Sequence, residues 1–99
     1  MYARNLSFHV KPASVVLFNE KIQKDVLPLL RKQSGFKNQV MFSDTEGTHV
    51  TSISLWDNEA SAKQYATGTY DQVLTILGDT IESAPKLVVG SSTIYSPVN

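Results

Sequence analysis

The sequence contains no cysteine among its 99 residues. Disulfide bonds, thiolate nucleophiles and zinc–thiolate sites are therefore excluded, and nothing indicates an oxidising compartment. No stretch approaches the roughly 20 apolar residues of a membrane span, and the first residues lack the apolar run of a signal peptide. These absences predict a cytoplasmic protein without membrane contact.

An excess of charge of one sign is also lacking. Nine Lys and Arg residues balance nine Asp and Glu residues, and the longest basic cluster is the pair Arg31–Lys32. A nucleic-acid partner is not expected, because nucleic-acid binders carry a basic patch or stripe. The sequence has no glycine-rich phosphate loop, nucleophile elbow or paired carboxylates, and no His, Asp and Glu residues at ligand spacing. We therefore predict neither a metal nor a cofactor.

The residues that are present suffice for one hydrophobic core. The chain is 41% hydrophobic and 18% charged, which is ordinary for a globular protein and unlike a disordered one. A chain of this length is too short for two cores, since domains typically run to about 100–150 residues. One domain over residues 1–99 is predicted.

Alternating apolar and polar residues predict a first strand from Ala3 to Lys11. One face of this strand carries Leu6, Phe8 and Val10, and the other carries Asn5, Ser7 and His9. Pro12 ends it, and Ser14 is placed to cap a helix. The apolar stripe of that helix is Val15, Phe18, Ile22, Val26 and Leu29. Pro28 predicts a kink or a second helix start, because it has no N–H to donate.

A hairpin follows the helix stop at Gly35. Its first strand alternates Phe36, Asn38, Val40 and Phe42 against Lys37, Gln39, Met41 and Ser43. The polar turn Asp44–Gly47 leads into a second strand, Thr48–Trp56, rich in β-branched residues. On that strand His49, Thr51, Ile53 and Leu55 face one side, and Val50, Ser52, Ser54 and Trp56 face the other.

Two helices and a last strand complete the chain. Asp57 or Asn58 caps a short helix that ends at Gly68, and a second helix runs from about Tyr70 to Glu82. The last strand is Leu87-Val88-Val89, bent at Gly90 and continued by Thr93-Ile94-Tyr95.

This element order predicts an α+β fold of ferredoxin-like βαββαβ type with an extra helix and a four-stranded antiparallel sheet. Helices on one side of the sheet would leave its other face open, and a second copy of the chain is the most economical cover for it. A homodimer, forming a dimeric α+β barrel, is therefore expected.

The run from Leu27 to Tyr70 also carries a family resemblance. Its carriers, in order, are the helix exit Gly35-Phe36, the hairpin around Glu46-Gly47, the strand end Ser54-Leu55-Trp56 followed by Asp57, and the helix with Ala62 and Tyr65. In this order and spacing they resemble the antibiotic biosynthesis monooxygenase superfamily of dimeric α+β barrels. The resemblance implies a pocket between sheet and helices for a flat aromatic or quinol-type substrate, which some members oxidise with dioxygen without metal or flavin.

The resemblance implies Asn5 and Trp56 as catalytic candidates. In the haem-degrading branch an asparagine stands in the first strand, six positions before a lysine that here is Lys11, and a tryptophan ends the third strand. That branch also needs a histidine on the late helix, and residues 70–77 contain none, so haem degradation is not favoured. Asn5 shares its strand face with His9, opposite the apolar set, which conflicts with a pocket on the helix side. A core role for Trp56 and a strand role for Asn5 are the alternatives.

Four further residues are substrate-binding candidates. Tyr65 and Tyr70 flank the Gly68-Thr69 turn, where their hydroxyls could bind a phenolic substrate or simply pack at the corner. His9 and His49 are the only histidines and could act as bases, although neither has a local partner and a solvent-facing or interface role explains both.

Two function classes follow from these residues. One is a cofactor-independent monooxygenase-like protein, an oxidoreductase acting on a small aromatic or quinol-type substrate. The other is a non-catalytic dimeric barrel that binds a small molecule or is purely structural, since no acid–base constellation with partners is evident. Haem binding is a third and weaker hypothesis.

Overall fold

The computed structural model describes residues 1–87. The elements in chain order are β1 (Tyr2–His9), a 3-10 turn (Pro12–Ser14), α1 (Val15–Lys21), a π turn (Ile22–Val26), α2 (Leu27–Arg31), β2 (Phe36–Ser43), β3 (His49–Trp56), α3 (Glu59–Thr67), α4 (Tyr70–Leu77), a 3-10 turn (Gly78–Thr80) and β4 (Lys86–Leu87). The predicted continuation of the last strand over residues 88–95, with its bend at Gly90, lies outside the described residues.

The four strands form one antiparallel sheet in the order β2-β3-β1-β4, which confirms the predicted α+β, ferredoxin-like fold class. The central pair, β1 and β3, is in register from Tyr2↔Trp56 to His9↔His49. Directly paired residues lie on the same face of a sheet, so this ladder sorts the side chains of both strands. The helices cover one face, called here the helix face, and the other is called the open face.

The hydrophobic core lies between the helix face and the helices. Its fully buried side chains of largest volume are Trp56, Phe18, Leu77 and Val10. The alternation predicted for β1 and β3 is confirmed, because Leu6 and Phe8 are buried together with Val50, Ser52, Ser54 and Trp56. Burying a large apolar side chain contributes about 1.5–3 kcal/mol, so this single face carries most of the packing energy.

A π turn separates α1 from α2 just before Pro28, where the sequence predicts a kink or a second helix start. The N–H of Leu27 donates to the carbonyl of Ile22, five residues back, in a π turn. Pro28 has no N–H with which to continue the α-helical ladder. The wider turn also corrects the predicted stripe: Leu30, not Leu29, is the buried residue after Val26. A π turn contains more residues than an α-helical turn. Residues four apart, such as Val26 and Leu30, therefore lie on the same face of the helix.

A bulge in β2 corrects the predicted alternation of that strand. Phe36 pairs with Trp56 and Asn38 pairs with Leu55, so Lys37 is an extra residue without an opposite partner. Phe36 therefore lies on the helix face, whereas Asn38, Val40 and Phe42 lie on the open face. Gln39 and Met41 consequently face the helices.

The helix ends follow the sequence signals in part. The side chain of Asn58, rather than that of Asp57, caps α3 by accepting a 2.9 Å hydrogen bond from the Ser61 N–H. Gly68 ends α3 as predicted, and α4 ends at Leu77, before the predicted Glu82. Ser14 stands at the start of α1, but its side chain makes no capping hydrogen bond.

Candidate functional site

A two-part cavity lies between the helix face of the sheet and the helices. Its outer part, called here the mouth, has a volume of about 280 Å³ and opens beside β2. Its inner part, called here the inner chamber, has a volume of about 30 Å³ and reaches α3 and α4. Both parts are lined by Ile22, Leu27, Gln39 and Met41. The mouth and the inner chamber therefore meet at these four side chains.

The inner chamber holds a stack of one cation and two phenols. The Arg4 guanidinium carbon lies 4.3 Å from the ring centroid of Tyr70 and 5.7 Å from that of Tyr65. The two tyrosine rings are 5.9 Å apart. A guanidinium at these distances is attracted to the ring faces, which fixes the position of Arg4 against α3 and α4. The predicted candidates Tyr65 and Tyr70 are thus brought together, and Arg4 joins them.

Both phenols of this stack are neutral at physiological pH. Burial raises the pKa of Tyr65 to about 12, with the Arg4 charge opposing the shift. Burial also raises the pKa of Tyr70, again opposed by Arg4. Neutral phenols donate hydrogen bonds but do not take protons, so Tyr65 and Tyr70 are suited to bind a ligand oxygen rather than to act as bases.

Gln39 stands at the junction of the mouth and the inner chamber. Its side-chain N–H donates a hydrogen bond to the hydroxyl of Ser52. Its carbonyl oxygen, Oε1, is buried and has no hydrogen-bond partner. A buried acceptor left unsatisfied costs about 1–3 kcal/mol. A ligand that offered a donor at this point would remove that cost.

Trp56 lies behind the inner chamber and lines neither part of the cavity. Its side chain is completely buried, 5.5 Å from the ring of Phe36 and 5.1 Å from that of Tyr65 between centroids. Its indole N–H donates a 2.9 Å hydrogen bond to the hydroxyl of Ser54. The N–H is therefore already engaged inside the protein. What Trp56 contributes here is a rigid backing for Tyr65.

Asn5 lies on the open face, on the other side of the sheet from Trp56 and the cavity. It is paired with Ile53, and its side-chain oxygen is buried without a partner. Asn5 and Trp56 are therefore not brought into one site within this chain.

The two histidines meet at the far end of the open face. His9 and His49 are directly paired, with ring centroids 4.6 Å apart. The sequence shows no local partner for His49, and the structure corrects this, because its Nδ1 lies 3.0 Å from a carboxylate oxygen of Asp44. Desolvation acts to raise the pKa of Asp44, but hydrogen bonds from the His49 side chain and nearby backbone N–H groups hold it below its usual value. This pair is separate from the cavity.

Sequence reasoning missed Arg4 and Gln39, and only Arg4 carried a signal. Arg4 has the same parity along β1 as Leu6 and Phe8, so the sequence places a charged side chain among residues that face the core. A charged residue in such a position needs a partner or a ligand, and that is the signal that could have found Arg4. Gln39 belongs to the mostly polar alternation set of its strand, so its sequence position does not indicate that it faces the helices.

Two absences can be stated for residues 1–87. No cluster of three or more His, Asp or Glu side chains there is arranged to hold a metal ion. No helix in the same range is long and apolar enough to cross a membrane.

Comparison with solved structures places the fold among known proteins. A structure provisionally named antibiotic biosynthesis monooxygenase, from Bacteroides thetaiotaomicron, is 17% identical with a TM-score of 0.74, over 99% of this chain and 94% of that one. A second of that name, from Bordetella bronchiseptica, is 13% identical with a TM-score of 0.73, over 87% of this chain and 90% of that one. A third, named antibiotic biosynthesis monooxygenase, is 14% identical with a TM-score of 0.74, over 95% of this chain and 100% of that one.

No protein-family model matches the sequence, and no curated protein matches it either. At the identities of the solved structures, the likeness establishes the fold alone. The chain has the fold of the antibiotic biosynthesis monooxygenase structures, and its activity must be argued from its own cavity.

Proposed function

We propose that this chain, which shares the fold of antibiotic biosynthesis monooxygenase structures, binds a small aromatic or quinol-type molecule in its two-part cavity and oxidises it with dioxygen without a resident cofactor. The ring would lie in the mouth and its hydroxyl at the junction with the inner chamber. The support comes from the size of the cavity, from one unsatisfied polar atom and from the phenols beside it.

The single observation that carries the proposal is the unpartnered Oε1 of Gln39. Gln39 is the only side chain with an unsatisfied buried polar atom that lines both parts of the cavity, among residues 1–87. A phenolic O–H is a donor of the right kind to satisfy it. A ligand with an aromatic hydroxyl would therefore remove a cost already present in the empty site.

The size of the mouth fits an aromatic ring. An apolar cavity of about 150 Å³ accommodates benzene, and the mouth offers about 280 Å³ with Ile22, Leu27, Met41 and Val50 in its wall. The inner chamber, at about 30 Å³, is too small for a ring and fits only a small polar group.

The proposed reaction is balanced without an added reductant. One oxygen atom of dioxygen replaces a ring C–H bond of the hydroquinone by a C–O bond, and the displaced hydrogen ends on the new hydroxyl group. The two phenolic hydrogens leave with the other oxygen atom as water. The product is a hydroxyquinone. In this reaction the neutral phenols of Tyr65 and Tyr70 would donate hydrogen bonds to the phenolate oxygen at the junction, and the positive charge of Arg4 behind them would favour the charged form. Trp56 would hold Tyr65 in position.

Replacement of Gln39 by leucine tests the proposal. We expect Gln39→Leu to weaken binding of hydroquinone about tenfold, since one hydrogen bond to the ligand is lost. Stability should change little, because removal of the unsatisfied oxygen offsets the loss of the hydrogen bond to Ser52. Calorimetry measures binding, and an oxygen electrode measures turnover. The control is Gln72→Leu on the exposed side of α4. Equal affinity in the two variants, or no binding of any phenol by the unaltered protein, would overturn the proposal.

A second candidate function is binding without catalysis. No Asp, Glu or His lines either part of the cavity among residues 1–87, and Tyr65 and Tyr70 are neutral, so the cavity offers no group that takes a proton at neutral pH. Haem iron would find no histidine ligand there either. Binding of hydroquinone without oxygen consumption above the buffer rate would decide for this candidate.

We also propose that the open face is covered by a second copy of the chain. Val40 and Phe42 on this face are 45% and 57% exposed, beside Ile53 and Leu55. Asn5, His9 and His49 would then lie at the dimer face. Light scattering should show a dimer that Val40→Glu converts into a folded monomer. A monomer at micromolar concentration for the unaltered chain would contradict this proposal.

A further inference from the structure

Arg4 occupies an unusual place for a charged residue. It lies in β1 between residues of the buried class, is half-buried, and reaches the inner chamber. Its paired residue across the sheet is Ser54, which offers a hydroxyl rather than a charge. A cation removed from water in this way is costly unless an anion balances it.

The chain itself supplies no carboxylate for Arg4 among the described residues. None of the ion pairs found within residues 1–87 includes it. Residues 88–99 contain no Asp or Glu in their sequence. The cation therefore stands in the cavity without an acidic side chain to neutralise it.

The aromatic stack uses only part of the binding capacity of Arg4. Tyr70 and Tyr65 lie against the guanidinium at 4.3 Å and 5.7 Å from their centroids, and the side chains of Arg4 and Tyr70 share a hydrogen bond. A guanidinium has five N–H donors, so most of them remain. The N–H donors of a guanidinium lie in its plane, in a fork that matches the two oxygens of a carboxylate. The two rings restrict where the guanidinium can lie, and its remaining N–H donors are suited to such a partner.

The size of the inner chamber limits what can reach Arg4. Its volume of about 30 Å³ fits a group of the size of a carboxylate and excludes a ring. The ring must then remain in the mouth, with Gln39 at the junction. The cavity as a whole thus matches a ring with a hydroxyl and a neighbouring acid group.

We infer that the cavity selects aromatic acids: a hydroxylated ring binds in the mouth and its carboxylate binds the Arg4 guanidinium in the inner chamber. This inference rests on the proposed function, because it assumes that an aromatic ligand occupies the mouth. It adds that the ligand is negatively charged and that Arg4 recognises this charge.

The test compares three probes that differ only in the acid group: 2,5-dihydroxybenzoate, 2,5-dihydroxybenzamide and hydroquinone. Calorimetry should show that the unaltered protein binds the benzoate about tenfold more tightly than the benzamide, as expected for a charge-assisted, two-point contact. Arg4→Gln should abolish this preference and keep the affinity for the benzamide. Arg4→Lys should keep part of it, because a lysine retains the charge without the fork.

The exposed Lys32→Gln variant is the matched control, since it removes one positive charge away from the cavity. Its preference for the benzoate should equal that of the unaltered protein. Binding of the benzamide by Arg4→Gln shows that this variant is folded. If it does not fold, the ratio of benzoate to benzamide affinity is compared between Arg4→Lys and the unaltered protein instead.

Two results overturn the inference and are distinguishable. If benzoate and benzamide bind the unaltered protein equally well, the charge selection is wrong while the proposed aromatic site stands. If none of the three probes binds, the proposed function fails together with the inference.

Discussion

The two faces of the sheet are built from the same strands and differ sharply. Along β3, Val50, Ser52, Ser54 and Trp56 are buried against the helices, whereas the residues between them are only partly buried on the open face. On the helix face, the indole N–H of Trp56 is paired with Ser54 inside the protein, while the carbonyl oxygen of Gln39 is buried without a partner. On the open face, the His49–Asp44 pair is exposed to water. Whether helices pack on a face of a strand therefore determines which of its side chains are buried, and the composition of the strand alone does not.

The largest expected effect tests the difference in packing between neighbours in β3. Trp56→Ala should lower the free energy of unfolding by about 3–5 kcal/mol, because it removes a completely buried ring and leaves a cavity. Leu55→Ala, one residue away on the open face, should cost clearly less. Urea unfolding at low protein concentration measures both. Similar losses in the two variants would contradict the difference in packing between the two faces.

The next effect concerns the buried phenol of the helix face at alkaline pH. The pKa of Tyr65 is raised from 10.0 to about 12, so the folded state resists its ionisation. The stability that Tyr65 contributes is present below pH 10.0 and is lost as the pH rises towards 12. Unfolding curves of the unaltered protein and of Tyr65→Phe should converge or cross over this interval. Ionisation of Tyr65 near pH 10, seen in phenolate absorbance, would contradict the prediction.

The smallest effect belongs to the open face. The pKa of Asp44 is held below its usual value of 3.8, so its contribution to stability is present above that pH and is lost as the pH falls through its folded value. Asp44→Asn should therefore lower stability slightly at neutral pH and make no difference in strong acid. Exposed pairs contribute little. A His49→Gln background separates the imidazole from the backbone N–H groups, and an unchanged Asp44 effect in it would show that the backbone alone is responsible.

Much of the fold was predictable because local patterns agree with the tertiary arrangement. The alternation of β1 and β3 survives because both strands pair without interruption. The alternation of β2 does not, since the bulge at Lys37 moves Val40 to the open face. No local property of Lys37 predicts that bulge, because the bulge arises from the pairing of β2 with β3.

The candidate site was less predictable than the fold. The corner position of Tyr65 and Tyr70 predicts them as binding residues, and the structure brings them together on Arg4. The sequence does not predict Gln39, because its importance depends on what surrounds its carbonyl, and spacing along one strand does not contain that information. The family resemblance implies Asn5 as a site residue by its position along β1, whereas its parity in that strand predicts the open face.

The sequence by itself determined which segments become strands and helices, and which residues of β1 and β3 turn inward, because side-chain periodicity follows directly from backbone geometry. Only the tertiary structure decided that Arg4, Gln39 and the two tyrosines share one cavity while Asn5 and the histidines lie on the opposite face. The reason is that these residues are far apart along the chain, and only the packing of helices on one side of the sheet brings the first group together.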